Sequence, residues 1–439
     1  MKTNAFDKII GYESIKKELA QIADVLKNSE EYKKLGVTAP RGLLLYGVPG
    51  VGKTLMANAV IKESGRHVVV CRKDRPNGDF VKEIKKKFKE AKDAAPSIIL
   101  LDDMDKFANG DDRHPDAEEY VTVQSCIDEV KGKEVFVLAT VNNIRVLPRS
   151  LYRAGRFDNV IEIKKPRGQD AIEIVDHYIK QKKFCKDIDP ESIGRIMSGH
   201  SSAELESVIN EAGIYAGFER SDVITKEHFM RACLHTIYDV PNEVLNGGAP
   251  EVDLEDPNDQ MTRVIYHEAG HATVSEVLEP GSVTLISAYN RKYTTGGFTG
   301  YYDDGSGNSL EKAEAHICRA LGGVGALEQK CGIADNGSGN DFKMAFETVW
   351  NLVTENCLSG FHLHSNENFR MNDSGELLAQ QERAVAAEVE RYFRKTKEII
   401  SKNRALFDGI SEALAKCGVL TASDIAKIRE SCPIVPVQI

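Results

Sequence analysis

The 439-residue sequence predicts an α/β domain built on a parallel five-stranded sheet, then an all-helical region and a second, mostly α-helical domain. Two observations predict this. Five short apolar runs, "LLLY" (43–46), "VVVC" (68–71), "IILL" (98–101), "VFVLA" (135–139) and "VIEI" (160–163), recur through the first 165 residues with helical patterns between several of them. Runs apolar on both faces, alternating with helices, make a parallel sheet covered on both sides. Beyond residue 165 the strand signal gives way to helical periodicity.

Taken in order, "FVKEIKKKFKEAKDAAP" puts Val81, Ile84, Phe88 and Ala91 on one helical face, with the lysines as its solvated side. Residues 166–239 read as helical, with Ser202 and Thr225 as N-caps. "DVPNEVLNGGAPEVDLEDPND", rich in Pro, Gly, Asn and acid, is the clearest linker. The expected domains are therefore 1–165, a helical 166–239, a linker at 240–258 and a final domain at 259–439. There are no internal repeats or low-complexity tracts.

Composition narrows the class. With 41% hydrophobic and 28% charged residues the chain is an ordinary globular one, and a net charge of −10 argues against a general nucleic-acid binder. Nine scattered cysteines without a C-x-x-C pair point to free thiols in a reducing compartment. The N-terminus has no apolar signal region, and no run approaches the roughly 18–20 apolar residues of a membrane span. A cytoplasmic protein without direct membrane insertion is expected.

"GVPGVGKT" (Gly47, Val48, Pro49, Gly50, Val51, Gly52, Lys53, Thr54) fits the phosphate-binding G-x-x-x-x-G-K-[ST] between a strand and a helix. Glycines let backbone N–H groups close around phosphates, Lys53 reaches the β/γ-phosphates, and Thr54 holds Mg²⁺. "IILLDDMD" supplies the acidic strand end that such a site needs. Asp102 completes the Mg²⁺ site, and Asp103 is placed to polarise an attacking water. A Gly-rich turn before a helix is the duller alternative for the loop, and a surface ion pair for Arg153 and Arg156.

"YHEAGHAT" (266–273) carries H-E-x-x-H. On a helix capped by Asp259 and ended by Pro280-Gly281, His267 and His271 lie about 40° apart on one face. Both imidazoles can then reach one zinc ion, with Glu268 beside them to take a proton from water. A third protein ligand is still required. Asp341 opens an amphipathic helix after a Gly-rich turn, where a cap and a ligand are both open. His362 and His364, at i, i+2, cannot share a helix face.

The segment "FDKIIGYESIKKELAQIADVLKNSEEYKKLGVTAPRGLLLYGVPGVGKT" resembles the AAA+ ATPases of the FtsH type, and the resemblance runs from about Phe6 to about Glu430. It implies that Asn142, in "ATVNN", is a sensor that helps to place the attacking water. It also implies that Arg153 and Arg156, in "LYRAGRFD", are arginine fingers reaching the neighbouring subunit's nucleotide in a ring, a homo-hexamer. "SGHSSAELESVINEAGIYA" resembles the helical lid. "YHEAGHAT" looks like the family's peptidase motif, and "NGSGNDFKMAFETVWNLVTENC" its second ligand helix, which makes Asp341 the third zinc ligand. "GGFTGYY" (296–302) resembles the edge strand that holds extended substrate by backbone pairing. The implied activity is an ATP-dependent zinc metalloprotease acting on protein substrates, with Zn²⁺, ATP and Mg²⁺ as cofactors.

Four departures qualify the resemblance. The family normally has an N-terminal membrane anchor, so a soluble form is expected here, compatible with a membrane-bound partner. The segment "RKDRPNGDFVKE" after the second strand lacks the aromatic–hydrophobic–glycine pore loop, and its Phe80 is expected in the core. The usual Asp-Glu is Asp-Asp, which leaves Asp103 one methylene short. The linker is longer and more acidic. Slow or regulatory ATP use follows from these changes. Two alternatives are a remodelling ATPase with a structural zinc domain, and a peptidase whose ATPase module only binds nucleotide and scaffolds assembly.

Overall fold

The computed structural model describes residues 4–74, 80–108, 117–153, 155–184, 188–240, 252–289, 296–304, 309–332, 338–356 and 375–439. It divides into two compact units, Met1–Lys183 with Asp189–Ser207, and Phe184–Ile188 with Val208–Ile439. His362 and His364, residues 75–79 of the pore-loop segment and residues 241–251 of the linker lie outside the described residues.

The first unit holds α1 (Glu13–Lys27), α2 (Ser29–Lys34), β1 (Gly42–Tyr46), α3 (Lys53–Ser64), β2 (His67–Cys71), α4 (Phe80–Asp93), β3 (Ser97–Leu101), α5 (Glu118–Glu129), β4 (Val135–Val141), β5 (Asn159–Glu162), α6 (Gln169–Lys180) and α7 (Pro190–Ile196). The five strands pair in parallel in the order β2-β3-β4-β1-β5. Leu43, Leu44 and Leu45 of β1, with every residue of β3 and β4, are buried, as continuous apolar runs covered on both faces require. The α4 helix buries Phe80, Ile84, Phe88 and Ala91, while Val81 is only half-buried. Phe80 meets Phe107 edge-to-face at 4.8 Å, so it is a core residue, as its burial requires.

The α8 helix (Ser202–Phe218) spans the boundary between the units. Its cap corrects the sequence reading. Ser201, not Ser202, closes the capping box: Glu204 N–H donates to Ser201 Oγ at 3.3 Å, and Ser201 N–H donates to Glu204 Oε2 at 2.6 Å. Thr225 does cap the next helix, α9 (Lys226–Tyr238), in a box completed by His228.

The second unit continues with α10 (Gln260–Leu278), β6 (Val283–Ser287), β7 (Phe298–Tyr301), α11 (Leu310–Ala320), α12 (Gly322–Cys331), α13 (Gly339–Thr354), α14 (Gly375–Lys402), α15 (Arg404–Cys417), β8 (Val419–Thr421) and α16 (Ala422–Ser431). The α10 helix is central, with an unbroken buried run from Glu268 to Val277. Asp259 caps it by accepting the Thr262 N–H at 2.8 Å. Ile265, Ala269 and Ala272 pack in one apolar cluster with Leu321, Leu327 and Phe407. A Cβ on Gly270 would stand 2.4 Å from the Gly322 carbonyl oxygen, so only glycine lets α10 and α12 approach this closely. The long periodic segment ending in "RALF" is two helices. Buried Asn403 breaks it, donating to the carbonyls of Ile399 and Val435, each at 3.0 Å.

A second sheet that the apolar runs did not reveal lies in this unit. It is antiparallel, ordered β7-β6-β8, and puts β7 at an edge, with Ser287 opposite Phe298. Among the described residues no helix is long and apolar enough to cross a membrane.

Candidate functional site

Two groups of predicted residues come together, one in each unit. In the first, the loop after β1 leads into α3. Lys53, 6% exposed, donates to the carbonyls of Gly47 at 2.7 Å and Val48 at 3.0 Å, and to Asn142 Oδ1 at 2.8 Å. Burial pushes its ammonium pKa down, against the pull of Asp103, Asp105 and Asp102. Thr54 is exposed beside it.

Parallel order brings the ends of β3 and β4 next to this loop. Asp102 is buried, and its Oδ1 accepts the Thr140 hydroxyl at 2.8 Å, while the same hydroxyl oxygen accepts Asp103 N–H at 2.9 Å. Asp103 sits at φ +53°, a left-handed conformation that aspartate tolerates better than most residues. Its Oδ2 accepts Lys106 at 2.7 Å and its Oδ1 accepts Asn142 Nδ2 at 3.4 Å. Burial opposes ionisation of Asp103, but Lys106 holds the carboxyl below its ordinary range.

The two arginines differ. Arg153 is exposed. Arg156 is engaged within its own chain: Nη2 pairs with Asp128 at 2.8 Å, and Nη1 donates to Gln124 at 2.9 Å and to the Ser150 carbonyl at 2.8 Å. Neither belongs to the Lys53–Asn142–Asp103 group in these contacts.

In the second unit α10 carries His267, Glu268 and His271, and the first turn of α13 brings Asp341 to them. His267 Nε2 lies 2.9 Å from His271 Nε2 and 3.0 Å from Asp341 Oδ2, and His271 Nε2 lies 3.6 Å from the same oxygen. Donors about 2.05 Å from a tetrahedral zinc stand about 3.3 Å apart, so the triangle has the right size. The donor set has a second mark of a cation site. Asp341 Oδ2 is buried and accepts no well-aligned hydrogen bond. Burial works against its charge, yet the two imidazoles hold its carboxyl well below the usual range. Burial likewise works against a charged His271, but Asp341, then Glu268, outweigh it and push its pKa up to about 9.

The surrounding contacts orient the ligands. His271 Nδ1–H donates to the Arg319 carbonyl at 2.7 Å, which leaves Nε2 as the lone-pair donor. A Cβ on Gly323 would stand 2.4 Å from the His267 ring, so α12 backs that imidazole closely. Glu268, 5% exposed, accepts the Thr299 hydroxyl at 2.7 Å. These groups line a cleft of about 680 Å³ with Thr299, Tyr301, Arg319 and Met344.

Sequence reasoning missed Thr140, Lys106, Thr299 and the Arg319 carbonyl. Thr140 carried a faint signal, as a polar residue inside the apolar run of β4. Thr299 and Arg319 carried none, since 31 and 48 residues separate them from their partners.

The comparisons with known proteins divide the chain in the same sense as its two groups. Residues 43–165 match the model of the ATPase family associated with various cellular activities (AAA), and residues 256–428 match peptidase family M41. "ATP-dependent zinc metalloprotease FtsH 2" of Phytoplasma mali is 30% identical over 96% of this chain and 62% of its own length. The proteins named "ATP-dependent zinc metalloprotease FtsH" of Halothermothrix orenii and Thermotoga maritima are 28% and 27% identical, over 94% and 97% of this chain and 68% and 73% of theirs. The chain thus spans 62% of the first relative's length. The chain thus holds a domain of the AAA family followed by one of peptidase family M41, and along nearly its whole length it is similar to proteins of the FtsH type.

Proposed function

We propose that the chain is an ATP-dependent zinc metallopeptidase that hydrolyses peptide bonds in protein substrates. The observation that carries this is the convergence of His267 Nε2, His271 Nε2 and Asp341 Oδ2 with Glu268 alongside. These three residues would hold zinc. A zinc ion bound there supplies Lewis acidity toward water and a peptide carbonyl. Glu268 takes a proton from the attacking water and delivers it to the leaving amine. Edge strand β7 accepts an extended substrate by backbone pairing, which tolerates many sequences.

In the ATPase module, Gly47 to Gly52 surround the phosphates, Lys53 binds the β/γ-phosphates, and Thr54 with Asp102 holds Mg²⁺. Asp103 polarises the attacking water and Asn142 helps to place it. Arg153 and Arg156 act as fingers toward a neighbouring subunit in a cytoplasmic homo-hexamer. For Arg156 this requires exchanging its contacts to Asp128 and Gln124. The functional division is an ATPase domain over 1–165, a lid over 166–239, a linker over 240–258 and a peptidase domain over 259–439.

One observation favours a second reading, in which nucleotide only scaffolds assembly. The short Asp103 carboxylate is already engaged by Lys106 and Asn142. Casein degradation with ATP, with a non-hydrolysable analogue and with a zinc chelator separates these. ATP-dependent, chelator-sensitive cleavage is expected, full activity with the analogue moves the case to scaffolding, and chelator-resistant cleavage rejects the metal site.

A further inference from the structure

The H-E-x-x-H glutamate is placed by its neighbours on the helix, but a helix does not settle where its carboxylate points. In this protein β7 does. Thr299 Oγ1 donates its hydrogen to Glu268 Oε2 at 2.7 Å, and the same oxygen lies 3.3 Å from the Glu268 carbonyl. Two residues earlier, a Cβ on Gly297 would stand 2.6 Å from Glu268 Cγ and 2.4 Å from the Ser287 carbonyl oxygen, so the strand presses against the glutamate's stem. Between them, Phe298 stacks on Tyr238 with centroids 3.9 Å apart and planes 7° apart. Its backbone pairs with Ser287 of β6. The strand that grips Glu268 is thus itself held on two sides.

We propose that Thr299 is a positioning residue for the general base. Its hydroxyl occupies Oε2 and turns the carboxylate so that Oε1 receives the proton. In the step this serves, water loses that proton to Oε1, its oxygen bonds to the carbonyl carbon, the C–N bond breaks, and the proton passes from Oε1 to the departing nitrogen. Thr299 neither gains nor loses a proton. Because Thr299 belongs to the edge strand proposed to pair with substrate, the alignment of the base depends on the same backbone that receives the peptide.

This rests on the peptidase reading above, and the test keeps the two apart. Thr299→Val keeps shape and removes the hydroxyl; Thr299→Ser keeps the hydroxyl. Both full-length variants, loaded with zinc and with ATP·Mg²⁺ present, are assayed on a short fluorogenic peptide beside wild type and Glu268→Gln. Zinc per chain, thermal midpoint and affinity for a peptide hydroxamate, whose N–OH proton a correctly placed carboxylate accepts, are measured in parallel. Thr299→Val is expected to keep its zinc and midpoint, to lose on the order of 10-fold in kcat with KM within about twofold, and to bind the hydroxamate correspondingly more weakly. Thr299→Ser should recover kcat to within about twofold of wild type. Wild-type kcat in Thr299→Val, an equal defect in Thr299→Ser, a loss confined to KM, or loss of zinc overturns the assignment while wild type stays active. A wild-type chain with no metal-dependent cleavage instead rejects the peptidase reading, and the role of Thr299 with it.

Discussion

The metal cluster and the phosphate loop both lie at the start of a helix or beside one, yet their charged groups are spent differently. In the metal cluster three donors converge on one point, and Asp341 Oδ2 is left buried without an aligned donor. In the nucleotide group the charged side chains rest on near neighbours: Lys53 on loop carbonyls and Asn142, and Asp103 on Lys106. The difference follows from what positions each. A central buried helix, backed by glycine-tight contact with α12, fixes His267 and His271. The ends of β3 and β4 carry Asp103 and Asn142, and the first turn of α3 carries Lys53. The metal cluster is therefore preorganised, whereas the charged groups around Lys53 are already engaged with their neighbours.

The largest test of that contrast is Glu268→Gln. It should cut peptide cleavage by roughly 10² to 10⁴-fold while nucleotide affinity stays at the wild-type level. Retained cleavage would remove Glu268 from the chemistry and leave the preorganised cluster without a purpose.

Asp341→Ala takes one corner from the triangle, and zinc affinity should fall at least about 100-fold, read by competition with a chromogenic chelator. Stripping zinc from the wild-type chain should lower the second unit's melting temperature, since zinc at 100 times its Kd contributes about 2.7 kcal/mol. An unchanged melt would mean that the donors do not hold the ion in the folded state.

Rigidity of α10 is the next point. Glu276, 1% exposed, accepts Arg429 Nη1 at 2.5 Å and the N–H groups of Gly281 and Val283 at 2.8 and 3.0 Å. Arg429→Ala leaves that buried carboxylate without its cation. The expected cost is about 2 kcal/mol, less than for a fully buried pair because Arg429 is 29% exposed. A chemical denaturation midpoint equal to wild type would show that the Arg429 pair adds nothing to the hold on α10.

The smallest effect is expected in the motor. Asp103→Glu adds the missing methylene and should raise ATP turnover a few-fold, about 3- to 10-fold, with peptide cleavage little changed. If turnover falls instead, Asp103 is tuned to this site and its contact with Lys106 is part of the working arrangement.

Legibility follows the range of the interaction. The parallel sheet could be read because its strands are buried on both faces and so appear as unbroken apolar runs. The helix of His267 and His271 could be read because i, i+4 spacing is local. Of the β7-β6-β8 sheet only the edge strand was suggested, by the resemblance of "GGFTGYY"; β6 and β8, five and three residues long in helical surroundings, were hidden. The capping residue of α8 was missed by one position because adjacent serines, Ser201 and Ser202, offer the same hydroxyl. Asp341 was suggested as a ligand by family resemblance, and its position in the chain alone could not distinguish a ligand from a cap.

The sequence by itself determined the class of sheet, the phosphate loop and the paired histidines, because each is written in residues a few positions apart. Only the tertiary structure decided that Asp341 meets those histidines, that Arg156 is engaged by Asp128, and that the Thr299 hydroxyl donates to Glu268. Those contacts join residues 28 to 74 positions apart, brought together by the burial of apolar faces elsewhere in the chain, and no local periodicity encodes them.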